Sequence, residues 1–588
     1  MLLVNNKFCF EKDGMKGMEY LKKYEEWLTN PYFDEATRAE LSSLKGNDSE
    51  IKERFFKDLE FGTGGLRGIL GAGVNRMNLY TVRRATQGLA NTIIKHGGEH
   101  KGVAIAYDSR RMSPEFALDS ALCLAANGIH AYLFETLRPT PELSYSVREL
   151  GCTAGIVITA SHNPAEYNGY KVYWEDGAQI TYPKDIEIIG EVNAITDFAA
   201  AKTMNKEDAI SKGLLTIISK EIDDKYIAEL KKLVINPISD EGKKLKIVYT
   251  PLNGTGNAPV RRILKELGFE QVFVVPEQEL PDSEFTTVGY PNPEDPKVFT
   301  IAKKLADEVG ADLILATDPD ADRLGIMVKD NKGEFVLFNG NMSGALIAEY
   351  EFSQKAEKGI LPNNAALIKT IVTGNLSDLI AEHYGAKLIE VLTGFKYIGE
   401  QIKLFEQTGS NEFVFGYEES YGCLVGTHSR DKDAVVAVMA LCEAAAYYKT
   451  KGISLYEQMN NIYKKYGYFK EDLVSVTLKG IEGMEKIKEI MNSYRVNPPK
   501  TAGDYKVLKV RDYLGDTITD LETGEVIPTG LPKSDVLYFD LNDNAWCAIR
   551  PSGTEPKIKF YFGVKGENMA DAETKLSKLM KDDVFKVS

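Results

Sequence analysis

Three times along the chain, an apolar run gives way to a helical pattern and then to two further apolar runs. The first copy holds GVAIAY (102–107), a helix, GIHAYLF from Gly128, and AGIVIT (154–159). The second holds LKIVYT (245–250), a helix ending at Leu267-Gly268, FEQVFVV (269–275) and ADLILAT (311–317). The third holds AALIKTIV (365–372), a helix ending at Tyr384-Gly385, AKLIEVL (386–392) and NEFVFGY (411–417). Continuous apolar strands alternating with helices belong in sheets covered on both faces. The repeat therefore predicts three similar α/β domains with mixed or parallel sheets. Ahead of it, residues 1–60 read as an acidic helical prelude in which Tyr20, Leu21, Tyr24 and Trp27 share one face. Behind it, WCAIRPSGTEPKIKFYF (546–562) sets two β-rich runs around a polar turn, which predicts a smaller C-terminal α+β domain. The expected division is 1–60 packed on the first domain, then 61–215, 216–330, 331–454 and 455–588.

The loop after the third strand differs in each copy: TASHNP (159–164), TDPDADR (317–323) and GYEESYG (416–422). Residues just past strand ends are where α/β sheets meet ligands. Three equivalent strand ends with three chemically loaded loops predict one site built from three domains. In the second loop, Asp318, Asp320 and Asp322 are spaced by two, and Pro319 discourages a helix. Three hard oxygens suit Mg²⁺, which also favours a phosphate oxygen as a further ligand. An EF-hand would need glycine and glutamate at loop positions six and twelve, where this chain has Arg323 and Lys329.

Ser161 lacks the flanking glycines of a hydrolase nucleophile elbow, and the adjacent His162 is poorly placed as a triad base. A phosphoryl-carrying serine fits better, with the aspartates holding Mg²⁺ on its phosphate. Lys171, ten residues on, could supply proton transfer or charge. In RPSGTEPK (550–557), Arg550 offers a fork suited to phosphate, and Ser552, Gly553 and Thr554 offer hydroxyls and backbone N–H groups. FGTGGLRG (61–68) holds Arg67 but lacks the Gly-Lys-Ser/Thr of a P-loop, so a mobile glycine turn is its plain alternative. Glu418 and Ser420 could grip sugar hydroxyls. Lys432 in RDKD (430–433) is either a phosphate ligand or part of a solvated charge cluster.

Bulk properties narrow the partners. A net charge of −15 argues against nucleic acid or an acidic membrane as the main partner. No apolar run approaches the roughly 18 residues of a membrane span, and the start, MLLVNNKFCFEKDG, does not read as a signal peptide. Six cysteines with no CxxC pair are expected to be reduced, buried thiols of a cytoplasmic protein, with no zinc site.

Together, TASHNP, DPDADR, GYEES and RPSGTEPK resemble the phosphoserine, magnesium, sugar-binding and phosphate-binding loops of the α-D-phosphohexomutase family, in the family's order from about residue 60 onward. The prelude, GTGGLRG and GYEESYG look most like its phosphoglucomutase/phosphopentomutase branch. The resemblance implies four domains around one central cleft, the last one mobile. It implies Ser161 as phosphoryl carrier, Mg²⁺ on Asp318, Asp320, Asp322 and the Ser161 phosphate, and Arg67 and Lys171 beside the transferring group. Lys171 would then be general acid/base and His162 would support the same loop. Arg323 and Thr393 would face the sugar, and Glu418 and Ser420 would hold its hydroxyls. Lys432, Arg550, Ser552, Gly553 and Thr554 would hold the phosphate not being transferred. The implied activity interconverts α-D-glucose 1-phosphate and glucose 6-phosphate through a bisphosphorylated intermediate, with glucose 1,6-bisphosphate as activator. Pentose and mannose phosphates are the alternatives within the family. A non-catalytic sugar-phosphate binder is the alternative outside it, and would be marked by a lost Ser161 or a broken aspartate trio. The expected partners are small sugar phosphates, with no nucleic acid and no membrane; monomer and dimer stay open.

Overall fold

In the computed structural model, which describes residues 19–62, 64–478, 480–552 and 557–585, each repeat forms its own sheet. In every copy the first strand lies between the second and the third, and all three run parallel. Val103–Tyr107 pairs with Ala131–Phe134 and Ala154–Ile158. Lys246–Thr250 pairs with Gln271–Val274 and Leu313–Thr317. Ala365–Thr370 pairs with Lys387–Val391 and Glu412–Tyr417. The apolar runs have the expected cause: Val103–Tyr107, Ala154–Ile158, Leu313–Thr317 and Ala365–Thr370 are buried at every position.

The third strand of each copy then doubles back into an antiparallel neighbour: Tyr167–Trp174, Leu324–Lys329 and Cys423–Val425. The three polar loops are thus the connections of three equivalent hairpins. Each contains one residue in the left-handed region, Ser161 (φ 52°), Ala321 (φ 51°) and Tyr421 (φ 68°).

FGTGGLRG does not form a free turn. Gly65–Ile69 is an edge strand of the first sheet, antiparallel to Tyr167–Trp174, with Gly65 opposite Lys171 and Arg67 opposite Gly169. A Cβ at Gly65 would collide with the Tyr170 carbonyl oxygen, so glycine is what lets this strand close on its neighbour.

The helix over 19–29 and the helices Glu35–Ser43 and Asp48–Phe55 pack on the first domain. Tyr20, Tyr24, Trp27, Phe33 and Phe55 form one cluster with Tyr80, and Trp27 stacks on Phe33 at 4.1 Å. Leu21 departs from the expected shared face and is 36% exposed. Tyr20, Tyr24 and Trp27 keep the i, i+4, i+7 spacing of one stripe, and Leu21 lies a step of about 100° round from it.

A continuous core links the first three domains. It includes Leu455, Met459 and Ile462 of helix Leu455–Tyr466, which the expected division assigns to the last domain. Gly467 (φ 117°) ends that helix. The chain then enters an antiparallel sheet ordered Tyr468–Thr477, Lys557–Gly566, Trp546–Pro551, Leu537–Leu541, Tyr505–Asp512, Thr517–Asp520 and Val526–Ile527. Helices Gly480–Val496 and Met569–Lys581 cover one face of it. The opposite face rests on the third domain through Tyr513, Tyr538 and Trp546 against Ile371 and Leu392, beside an Arg511–Glu390 ion pair of 3.1 Å. Among the described residues no helix is long and apolar enough to cross a membrane, and the five described cysteines are buried and unpaired.

Candidate active site

The first two hairpin loops meet at Ser161. Its side chain is nearly buried, and its Oγ donates to Asp318 Oδ2 at 2.7 Å and lies 3.1 Å from His162 Nδ1. The Ser161 N–H donates to Thr159 Oγ1 at 2.8 Å, which folds the left-handed turn. Arg110 braces the loop from behind. Its guanidinium donates to the carbonyls of Ser161 (2.6 Å), Pro164 (2.7 Å), Tyr167 (3.1 Å) and Asn163, and pairs with Asp108 at 3.2 Å. Both charged side chains are fully buried. Breaking such a pair typically costs about 3–5 kcal/mol, so the serine is presented on a stiff support. Burial, with the cations Arg323 and Arg67, pushes His162 well below its ordinary value and keeps it neutral.

Asp318, Asp320 and Asp322 are buried, and one oxygen from each lies within 4.8 Å of the others. Asp318 Oδ1 accepts the N–H groups of Asp322 and Arg323, each at 3.1 Å, so this carboxylate folds its own turn and leaves Oδ2 for the serine. Asp320 Oδ2 accepts from Lys171 Nζ at 2.8 Å and Thr140 Oγ1 at 3.0 Å. Asp322 Oδ2 lies 3.2 Å from Lys432 Nζ and 3.5 Å from Lys171 Nζ. The remaining oxygens, Asp320 Oδ1 and Asp322 Oδ1, are buried and accept no hydrogen bond. An unsatisfied buried carboxylate oxygen is costly. Two of them in an all-oxygen cluster fit a hard dication.

The charges are divided unevenly. Burial, then Asp320 and Asp322, drive Asp318 well above the carboxylate range. Burial opposes ionisation of Asp320, but Lys171 outweighs it and holds that group well below the range. Burial likewise opposes a charged Lys171, and Asp320 and Asp322 reverse the effect and raise it.

The third hairpin joins through the backbone, where Leu324 N–H donates to Tyr421 O at 3.0 Å. Arg323 pairs with Glu294 at 2.7 Å. Glu418 Oε1 accepts Gly394 N–H at 3.0 Å; the neighbouring Thr393 Oγ1 is buried and accepts no bond, and Ser420 is half-buried two residues along. Lys432 lies in the acid cluster beside Lys171. Its stem fills the space that a side chain at Gly422 would occupy, and its Nζ also lies 3.3 Å from Asp431 Oδ1. Arg67, on its edge strand, donates to Asn163 Oδ1 at 3.4 Å.

From the last domain, Arg550 and Lys559 come within electrostatic reach of Glu419. Burial, then Glu418, pushes Glu419 up to about 7. Ser552 N–H donates to Lys557 O at 2.7 Å. Gly553 and Thr554 lie outside the described residues. Sequence reasoning passed over Arg110, Asp108, Thr140, Glu294 and Asp431. The first three had a signal: they sit in DSRR (108–111) and RPTPE (138–142), directly after the first and second strands of the first repeat.

Residues 58–198, 224–333 and 339–466 match, in turn, the phosphoglucomutase/phosphomannomutase alpha/beta/alpha domains I, II and III. A phosphoglucomutase of Staphylococcus epidermidis is 39% identical over 515 residues, 87% of this chain and 92% of the relative. One of Staphylococcus aureus is 37% identical over 538 residues, 91% of this chain and 94% of the relative. Among solved structures, the open form of the Paramecium phosphoprotein pp63/parafusin, a phosphoglucomutase, superposes with a TM-score of 0.65 at 20% identity. It covers 89% of this chain and 93% of its own, which shows a shared fold. Matched domain by domain and along most of its length, the chain belongs to the α-D-phosphohexomutase family, in its phosphoglucomutase branch.

Proposed function

We propose that the protein interconverts α-D-glucose 1-phosphate and glucose 6-phosphate, with Ser161 carrying the phosphoryl group between them. The observation that carries this reading is the 2.7 Å bond from Ser161 Oγ to Asp318, inside a carboxylate trio with two buried, unsatisfied oxygens. Asp318, Asp320 and Asp322, with the Ser161 phosphate, would hold Mg²⁺, which when bound neutralises phosphoryl charge during in-line transfer.

The chain's own residues account for the rest. As the bond from Ser161 Oγ to phosphorus breaks, the bond from the sugar hydroxyl oxygen to phosphorus forms. One proton passes from that hydroxyl to Ser161, and Lys171, held charged by Asp320 and Asp322, is the group assigned to relay it. Arg67 faces the same phosphoryl. Arg323, Thr393, Glu418 and Ser420 orient the sugar, and Arg550 and Ser552, with Gly553 and Thr554, clamp the other phosphate. Lys432 joins that clamp from a base on Asp322. The bisphosphorylated sugar then turns over, and Ser161 takes back the second phosphoryl, so one serine serves both ends. Glucose 1,6-bisphosphate is the matching activator.

The test is turnover of purified protein with Mg²⁺ and a trace of glucose 1,6-bisphosphate, comparing the 1-phosphates of glucose, mannose and ribose. Glucose 1-phosphate is expected to give the highest kcat/KM. A ribose or mannose preference would overturn the substrate assignment and keep the mechanism. Free phosphate released in place of isomer would overturn both.

Arg550→Ala is expected to raise KM about tenfold with kcat within a few-fold of wild type, because Arg550 is assigned to a phosphate that does not react. Steady-state kinetics decide it: a kcat defect at unchanged KM would remove Arg550 from the clamp.

A further inference from the structure

Helix Thr140–Glu149 of the first domain carries none of the reacting groups, yet it holds loops of both other α/β domains. Thr140, Ser144 and Arg148 recur every four residues, so they lie along one edge of the helix over about 12 Å. At the N-terminal end, the Thr140 hydroxyl donates to Asp320 Oδ2 and its N–H donates to Asp320 O, each at 3.0 Å. One turn on, Ser144 Oγ accepts Arg430 N–H at 2.8 Å and donates to Gly177 O at 2.6 Å. A further turn on, Arg148 Nη1 donates to the carbonyls of Thr427 at 2.5 Å and His428 at 3.0 Å.

The segment held in this way leads into Lys432, whose Nζ returns to Asp322 at 3.2 Å. Between strand Cys423–Val425 and helix Ala434–Thr450 it has no regular structure to stiffen it. Side chains order most of it: Arg148, Ser144, the fully buried Arg430, and Tyr173, whose hydroxyl donates to Asp431 Oδ2 at 2.6 Å. Past Lys432 the backbone takes over, with Asp433 N–H on Cys423 O at 2.8 Å and Ala434 N–H on Ala321 O at 3.1 Å. A helix has a fixed rise of about 1.5 Å per residue. Two loops pinned to the same edge of one helix are therefore held at a fixed separation.

We infer that this helix edge is a positioning device, which sets Lys432 of the third domain against Asp320 and Asp322 of the second. Ser144 and Arg148 are its positioning residues and act through Lys432. The inference rests on reading Lys432 and the aspartate trio as parts of one site.

A double-mutant cycle on the full chain tests it, with kcat/KM for glucose 1-phosphate as the readout. Arg148→Gln is expected to cost about tenfold in the wild-type background and less than about twofold in the Lys432→Ala background, where the residue it positions is gone. Arg148→Lys, which keeps the charge but loses the forked donor, is expected to give an intermediate loss. Thermal unfolding is measured in parallel, because a purely structural role would shift the midpoint and leave the losses multiplicative. Ser144→Ala, which removes the acceptor for Arg430 N–H, repeats the cycle should Arg148→Gln fail to fold. Multiplicative losses in the cycle, or wild-type kcat/KM in Arg148→Gln, overturn the inference alone. A fully active Lys432→Ala enzyme removes Lys432 from the site, and the inference falls with it.

Discussion

Ser161→Ala is expected to lower mutase turnover by on the order of 10⁴-fold or more, because it deletes the only atom proposed to carry the phosphoryl group. The structure indicates that the loss will be chemical. Arg110 grips this loop through backbone carbonyls, and the Ser161 N–H bonds Thr159, so an alanine leaves those contacts in place. Serine already holds a Cβ at this φ of 52°, so alanine brings no left-handed strain that the wild type does not bear. The variant should therefore melt close to wild type, bind sugar phosphate, and take up no label from bisphosphate labelled at either phosphate. Substantial residual isomerisation would remove Ser161 as carrier.

Asp320→Asn is expected to cost on the order of 10³-fold in kcat/KM and to raise the Mg²⁺ concentration needed for half-maximal rate. The exchange keeps the shape of the side chain and removes one charge from a point where several effects meet. Asp320 Oδ2 accepts from both Lys171 and Thr140, while Oδ1 is one of the two buried oxygens without a partner. Its backbone carbonyl still accepts Thr140 N–H, so the loop should hold its path. Wild-type activity should vanish in EDTA and return with Mg²⁺, and a titration of rate against Mg²⁺ compares the two proteins. An EDTA-insensitive wild type would refute the metal assignment for all three aspartates.

The features legible in the sequence were local. A buried parallel strand announces itself as a continuous apolar run, and its end is marked by the first polar residues, so the loops holding Ser161, Asp318 and Glu418 could be placed at three equivalent strand ends without coordinates. Each of the three loops also carries one positive φ, on Ser161 itself in the first and three residues after Asp318 and Glu418, at Ala321 and Tyr421, in the others. The features that could not be read depend on contacts between distant segments. GTGGLRG looks like a mobile turn until Gly65–Ile69 is seen to need a partner strand a hundred residues on. Lys432 sits in a run of charges that resembles a solvated face, and only the fold shows it returning to Asp322. Ser144 and Arg148 look like ordinary helix residues, because a buried hydrogen bond to another domain leaves no periodic trace. Leu21 shows the opposite error, since an apolar residue beside a stripe is easily counted into it.

The left-handed backbone at Ser161 bears on how this position can change over evolutionary time. Threonine offers the same hydroxyl, and a single nucleotide change can separate the two amino acids. A β-branched residue at a φ near 50° is a steric outlier, because its second γ-substituent crowds the backbone. Here there is also no room to relax, as Arg110 fixes the carbonyls on either side of the turn. Asparagine, aspartate and glycine accept this conformation more readily, but none of them has a hydroxyl. Serine is the aliphatic hydroxyl residue that this turn accepts most readily, so the shape of the main chain favours it here as much as the chemistry of its oxygen does.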